Sequence, residues 1–216
     1  LQLPPAVAAG EAARRQLPGV PALFVFESTF FLTLPARERI YALDRETRST
    51  LRAARTGFHG LLHAEAADAV ARYRGDRRGG APARVASICL EAKPEVAGLL
   101  GRRPLLVTSG ATPLEGLPGE RDSGEMDPGI VLALAQTQGL GPDEINAILT
   151  QQSGLLALTE GTSDLGAILT GADSSTELAR GVFAHHLLLA CGSAAAAVGG
   201  LDAVVFSGSY AAAGAA

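Results

Sequence analysis

Apolar positions fall in short runs separated by polar or glycine-bearing breaks, and the runs differ in period. Residues 6–16 are rich in Ala and Arg and predict a helix. Pro18, Gly19 and Pro21 end it, because proline has no N–H to donate and does not fit a helix interior. Residues 22–26 are continuously apolar and precede Glu27, Ser28 and Thr29, which predicts a buried strand presenting a side chain at its C-terminal end. Residues 45–56 are strongly charged and read as an exposed helix or loop, while residues 61–73 carry apolar side chains at helical spacing. A polar, glycine-containing turn is expected over 76–82, and strands over 85–90 and 105–108. Residues 98–103 bear glycine and arginine but lack the Lys-Ser/Thr ending of a P-loop, so they read as a turn.

Beyond Asp127 the pattern turns helical. Pro128 sits where a first-turn proline is tolerated and residues 130–138 follow it. Residues 139–142 break the chain. Pro142, Asp143 and Glu144 then open a helix through Thr150, the acids favoured at its N-terminus by the helix dipole. A long helix is expected over 176–189, and a buried strand over 203–206 ended by Ser207 and Gly208. Strands alternating with helices indicate an α/β fold.

The chain has 216 residues, 47% of them hydrophobic, enough for a sizeable core, although only 5% are aromatic. A net charge of −4 gives no electrostatic case for nucleic acid. The arginines of segments 37–55 and 72–84 are interrupted by Glu and Asp and read as solvated faces. Cys89 and Cys191 lie in apolar stretches without C-x-x-C spacing and read as two buried free thiols, which suits a reducing, cytoplasmic setting. The longest apolar tract, residues 181–206, holds His185, His186, Asp202 and several glycines; it divides into helix, turn and strand, not a membrane span. A start at Leu1 and an Ala-rich end suggest a piece of a longer chain.

Specific strings narrow the reading. Residues 57–63 read Gly-Phe-His-Gly-Leu-Leu-His, 112–117 Thr-Pro-Leu-Glu-Gly-Leu, 127–128 Asp-Pro, 153–156 Ser-Gly-Leu-Leu and 199–206 Gly-Gly-Leu-Asp-Ala-Val-Val-Phe. In this order and nearly this spacing they resemble the acetate kinase family, from about residue 4 to residue 208. The resemblance implies a ribonuclease-H-like α/β domain of the actin-like ATPase fold, with inserted helices. It assigns residues 1–24 to a lead-in helix and remnant of a first domain, and 25–216 to a second domain ending at the adenosine loop. It implies transfer of a phosphoryl group from ATP to acetate or another short carboxylate, with Mg2+, in a homodimer.

The same resemblance places candidate residues and departures. His59 falls on the histidine that stabilises the transferring phosphoryl group, and His63 on a second, structural one. Glu27 stands at the catalytic aspartate, one methylene longer, either as a displaced Mg2+ or acetate-side carboxylate or as a strand-end acid with no task; a displacement of about 1 Å can cost on the order of 100-fold in rate. Thr108, Asp164 and Gly208 fall on nucleotide-binding positions. Residues 90–95, Leu-Glu-Ala-Lys-Pro-Glu, replace a glycine-rich phosphate hairpin: Pro94 lacks an N–H, Glu91 and Glu95 would repel phosphate, and Lys93 alone offers a cation. Asp122 takes the place of the family's arginine clamp; Arg121, one position early, is the catalytic candidate that loop slippage would bring there, partly neutralised by Asp122 beside it. Gly166 replaces the arginine along the adenosine, and Tyr210 lies in a segment that keeps only Gly208 of the family's glycines. These departures predict little or no acetate phosphorylation by this chain. The alternatives are a non-catalytic dimerisation or binding module and a decayed fragment.

Overall fold

The computed structural model describes residues 3–75, 80–159, 161–172 and 174–214. In chain order the helices and strands are α1 (Leu3–Gln16), α2 (Ala36–Arg39), α3 (Arg45–Leu51), α4 (Gly60–Arg74), β1 (Arg84–Cys89), β2 (Glu95–Leu100), β3 (Arg103–Val107), α5 (Pro128–Gln138), α6 (Pro142–Gln151), α7 (Leu165–Thr170), α8 (Ser174–Val198), β4 (Ala203–Ser207) and α9 (Ala211–Gly214). Two 3-10 helices, Glu27–Thr33 and Gly154–Leu158, join them.

The strands form one sheet in the order β3-β2-β1-β4. β1–β2 and β2–β3 are antiparallel hairpins, whereas β4 returns parallel to β1 after the helical segment. A parallel return needs a crossover connection, and α8 supplies it. Side chains alternate across the sheet. Val85, Ala97 and Leu99 pack with Phe31, Ala67 and Val70 on the α4 side. Ala86, Ile88 and Val96 pack with Ala179, Phe183 and Ala194 of α8 on the other. Gly98 lets α8 approach: a Cβ there would lie 3.2 Å from the Ala194 Cα.

α8 is long and apolar enough to cross a bilayer by length and composition. Its residues Ala179, Phe183, Ala190 and Ala194, spaced at helical intervals, are nevertheless buried in the core with Ala86, Ile88 and Val96 of the sheet. The α5 and α6 starts follow local chemistry: Asp127 caps α5 by accepting from Gly129 N–H at 2.8 Å, and Glu144 accepts from Gly141 N–H at 2.8 Å.

Four expectations need correction. Residues 22–26 are neither strand nor buried; Leu23 is 88% exposed, and no described strand pairs with the run. Phe24 instead lies against Gly10 of α1. Residues 95–100 are strand β2, so the turn is confined to the Gly101 corner. Among the described residues β4 is paired on one side only, and Val204 is 49% exposed. Cys89 is buried but Cys191 is only half-buried. Of the turn expected over 76–82, residues 76–79 lie outside the described residues.

Candidate active site

The site candidates gather around the C-terminal ends of the parallel pair, where Cys89 of β1 stands beside Ser207 of β4. Such ends are the usual place for ligands in open α/β sheets.

His59 caps the N-terminus of α4 in backbone position. Its ring Nε2 lies 2.9 Å from the Lys93 carbonyl. A carbonyl only accepts, so Nε2 carries the proton and donates. Glu27, half-buried at the start of its 3-10 helix, accepts from Leu61 N–H at 3.2 Å. His59 and Glu27 are therefore brought together at one helix end. The Gly60 position is tight: a Cβ there would lie 2.0 Å from the Glu27 carbonyl oxygen.

Beneath this turn lies a buried polar line. Glu95 accepts from Phe58 N–H and His59 N–H, both at 2.9 Å, and from His63 Nε2 at 3.0 Å. The other ring nitrogen of His63 is 2.7 Å from Ser87 Oγ. His63, Ser87 and Glu95 are all fully buried. Period-2 alternation puts Glu95 on the same sheet face as Ala97 and Leu99, directly under α4. Burial alone would raise the Glu95 pKa; the His63 contact and the backbone N–H donors outweigh it and hold the carboxyl below its ordinary value. Glu95 thus grips the histidine turn rather than facing an open hairpin.

Lys93 turns its ammonium the other way. Nζ donates to the Leu117 carbonyl at 2.7 Å and to Asp122 Oδ1 at 2.5 Å. Both side chains of the ion pair are mostly buried, 16% and 17% exposed. Burial lowers the Lys93 pKa, opposed by Asp122. Asp122 and Lys93, read as separate departures, are thus partners. Arg121 is exposed and enters no ion pair among the described residues; its carbonyl accepts from Ser153 N–H at 3.1 Å. Nothing in this geometry brings its guanidinium to His59 or Glu27.

The nucleotide-position candidates are engaged within the fold. Asp164 caps α7 through Ala167 N–H at 2.6 Å and accepts from the Tyr210 hydroxyl at 3.1 Å. That hydroxyl also lies 2.8 Å from Glu120 Oε1, and its pKa is raised, first by Glu120. The Tyr210 ring fills the space beside Gly166, where a Cβ would meet ring carbon at 3.0 Å. Gly208 has φ 92° and packs on the Leu90 carbonyl, 2.4 Å from a would-be Cβ, so glycine is required there. Next to it, Ser209 N–H donates to Glu91 at 2.8 Å. Thr108 Oγ1 accepts from Val96 N–H at 3.0 Å, holding β2 to the end of β3.

The arginine segment 37–55 is not wholly a solvated face. Arg55 donates to the Val107 and Thr108 carbonyls at 3.1 and 2.9 Å and pairs with Glu115 at 2.5 Å. Tyr41 also donates to Glu115, and burial, then Glu115, pushes its pKa up to about 12. Arg55, Tyr41 and Glu115 fasten segment 36–56 to the Thr-Pro-Leu-Glu-Gly-Leu loop. That role was hidden because only Glu115 belonged to a readable string.

For a metal, no group of three or more His, Cys, Asp or Glu side chains among the described residues could hold an ion. Mg2+ usually enters on phosphate oxygens with one or two carboxylates. Glu27 fits a single such ligand, with one carboxylate oxygen on Leu61 N–H.

The acetokinase family model matches residues 1–213. The chain is 38% identical over 199 residues to an acetate kinase of Clavibacter michiganensis subsp. michiganensis, covering 91% of this chain and 50% of that one. It is 31% identical over 210 residues to one from Desulfitobacterium hafniense, covering 96% and 52%. Porphyromonas gingivalis acetate kinase superposes with a TM-score of 0.88 at 28% identity, covering 96% of this chain and 52% of that one. A propionate kinase from Francisella tularensis subsp. tularensis gives 0.87 at 26%, covering 95% and 53%. The chain spans about half the length of these relatives. The α/β architecture is that of acetate kinase, an actin-like ATPase fold. This chain belongs to the acetokinase family.

Proposed function

We propose that this chain is an acetate kinase-like phosphotransferase domain, its residues 1–24 a remnant of a first domain, with little or no acetate phosphorylation of its own. The family relatives carry the first half of the reading. The Lys93–Asp122 ion pair carries the second. Phosphoryl transfer spreads charge over three oxygens and needs unspent cations and backbone donors aimed at them. Here the Lys93 cation is neutralised, Arg121 is directed to solvent, and Pro94 lacks a donor. His59 presents Nε2 to a carbonyl, so its other nitrogen can donate to a phosphoryl oxygen only when the ring is cationic.

Were ATP to enter, Glu27 would be the carboxylate for its Mg2+, which would neutralise phosphate charge. Asp164, Gly208 and Thr108 line the nucleotide positions, but Glu91 and Tyr210 already engage the 208–210 segment and Asp164. Acetate is the expected acceptor by kinship, with propionate next, and the cytoplasm the expected location.

A second reading, a dimerisation or binding module, is favoured by exposed apolar side chains: Leu178, Leu188 and Leu189 on α8, and Leu23 to Phe26. Acetyl phosphate formation from ATP and acetate, trapped as the hydroxamate, tests the main reading. No product above the enzyme-free rate is expected, and turnover abolished in His59→Ala would overturn it.

A further inference from the structure

Three positions at this end of the sheet attract anions, and each already carries a carboxylate of the chain. The Phe58 and His59 N–H groups, at the N-terminus of α4, hold Glu95. The Lys93 ammonium holds Asp122. The Ser209 N–H and hydroxyl hold Glu91, at 2.8 and 3.0 Å. Residues 91 and 93 lie in the connection from β1 to β2 and Glu95 opens β2, so one short stretch serves all three positions.

The three differ in how removable they are. Glu95 is fully buried and satisfies three donors, so its loss strands them. Glu91 enters no ion pair among the described residues. Asp122 alone neutralises a cation, and Lys93 keeps the Leu117 carbonyl as an anchor without it. Both side chains retain a little solvent access, 16% and 17%.

We propose that Asp122 is an internal stand-in for a phosphate group, closing a polyphosphate-binding position that Lys93 would otherwise form. The proposal rests on the reading of this end of the sheet as a phosphotransfer site. Anion binding tests it separately from turnover, so either can fail alone. Opposite charges at 2.5 Å make a charge-assisted hydrogen bond, among the stronger polar contacts. An incoming anion must displace that contact before it meets the lysine.

The test is pyrophosphate binding by titration calorimetry at low ionic strength, on wild type, Asp122→Asn and Asp122→Asn with Lys93→Met. The wild type is expected to bind weakly or not at all. Asp122→Asn should bind at least about tenfold tighter, the scale of one charge-assisted hydrogen bond. The double variant should return to wild-type behaviour. Asp122→Ser, which keeps an acceptor for the ammonium, serves if the asparagine variant does not fold. Equal binding by wild type and single variant, or a gain that survives without Lys93, overturns the proposal. Failure of both single variants to fold assigns the pair a structural role and overturns it equally.

Discussion

The turn ahead of α4 and the segment after β4 flank the same end of the central parallel pair, yet they are held in different ways. The first is fixed from beneath by Glu95, His63 and Ser87, all sealed from water. The second is fixed at the surface by Glu91, Glu120 and Asp164 acting on Ser209 and Tyr210. A carboxylate in a dry interior is costly unless fully partnered, so the first arrangement tolerates almost no change. At the surface water replaces a lost partner, so the second can be altered cheaply. Polar groups on one rim of one sheet thus divide into a structural set and a loop-holding set.

The sharpest way to break this contrast is at Glu95. Glu95→Ala should destabilise the fold by about 3–5 kcal/mol in urea unfolding, since it strands two N–H groups and a histidine. A loss below about 1 kcal/mol would erase the distinction. Next is a core reference: Phe183→Ala, on the α8 side, should cost about 3–5 kcal/mol and leave the His59 turn undisturbed in amide spectra.

Acid sharpens the comparison further. The Glu95 carboxyl is held below its ordinary value in the fold, so its stabilisation is present above the unfolded pKa and lost as pH falls through the lower folded value. Stability measured against pH should therefore drop on the acid side. Glu95→Gln should flatten part of that slope, and an unchanged slope would count against the buried carboxylate.

How much of this was legible in the sequence depended on burial. α4, α5, α6 and β1 follow period and cap chemistry and appear where the pattern places them. β2 was hidden because both faces of Glu-Val-Ala-Gly-Leu-Leu are covered, which erases alternation, and because a leading glutamate reads as solvated. Residues 22–26 misled in the opposite sense: an apolar run becomes a strand only where a neighbouring strand takes its hydrogen bonds. His59, Glu27, Asp164 and Gly208 were singled out through family strings, because sequence order alone carries those matches. Pairings across distant segments, Lys93 with Asp122 and Tyr210 with Glu120, left no local signal.

Two smaller effects complete the series. Tyr210→Phe should cost about 0.5–1.5 kcal/mol, the scale of a hydrogen bond, and raise protease sensitivity only after residue 207. A larger, global loss would place Tyr210 with the structural set. Burial, then Glu91, pushes the Cys89 thiol up to about 12, while burial raises Cys191 without sealing it. Ellman's reagent should therefore label only Cys191 in the native protein, slowly, and both thiols in urea.

The most direct test of the central claim is a crystal structure of the chain soaked with ATP and Mg2+. The account predicts that Lys93 stays on Asp122, Tyr210 stays between Glu120 and Asp164, and no nucleotide is ordered. Nucleotide density with Mg2+ on Glu27 and the Arg121 guanidinium on the terminal phosphate would contradict it.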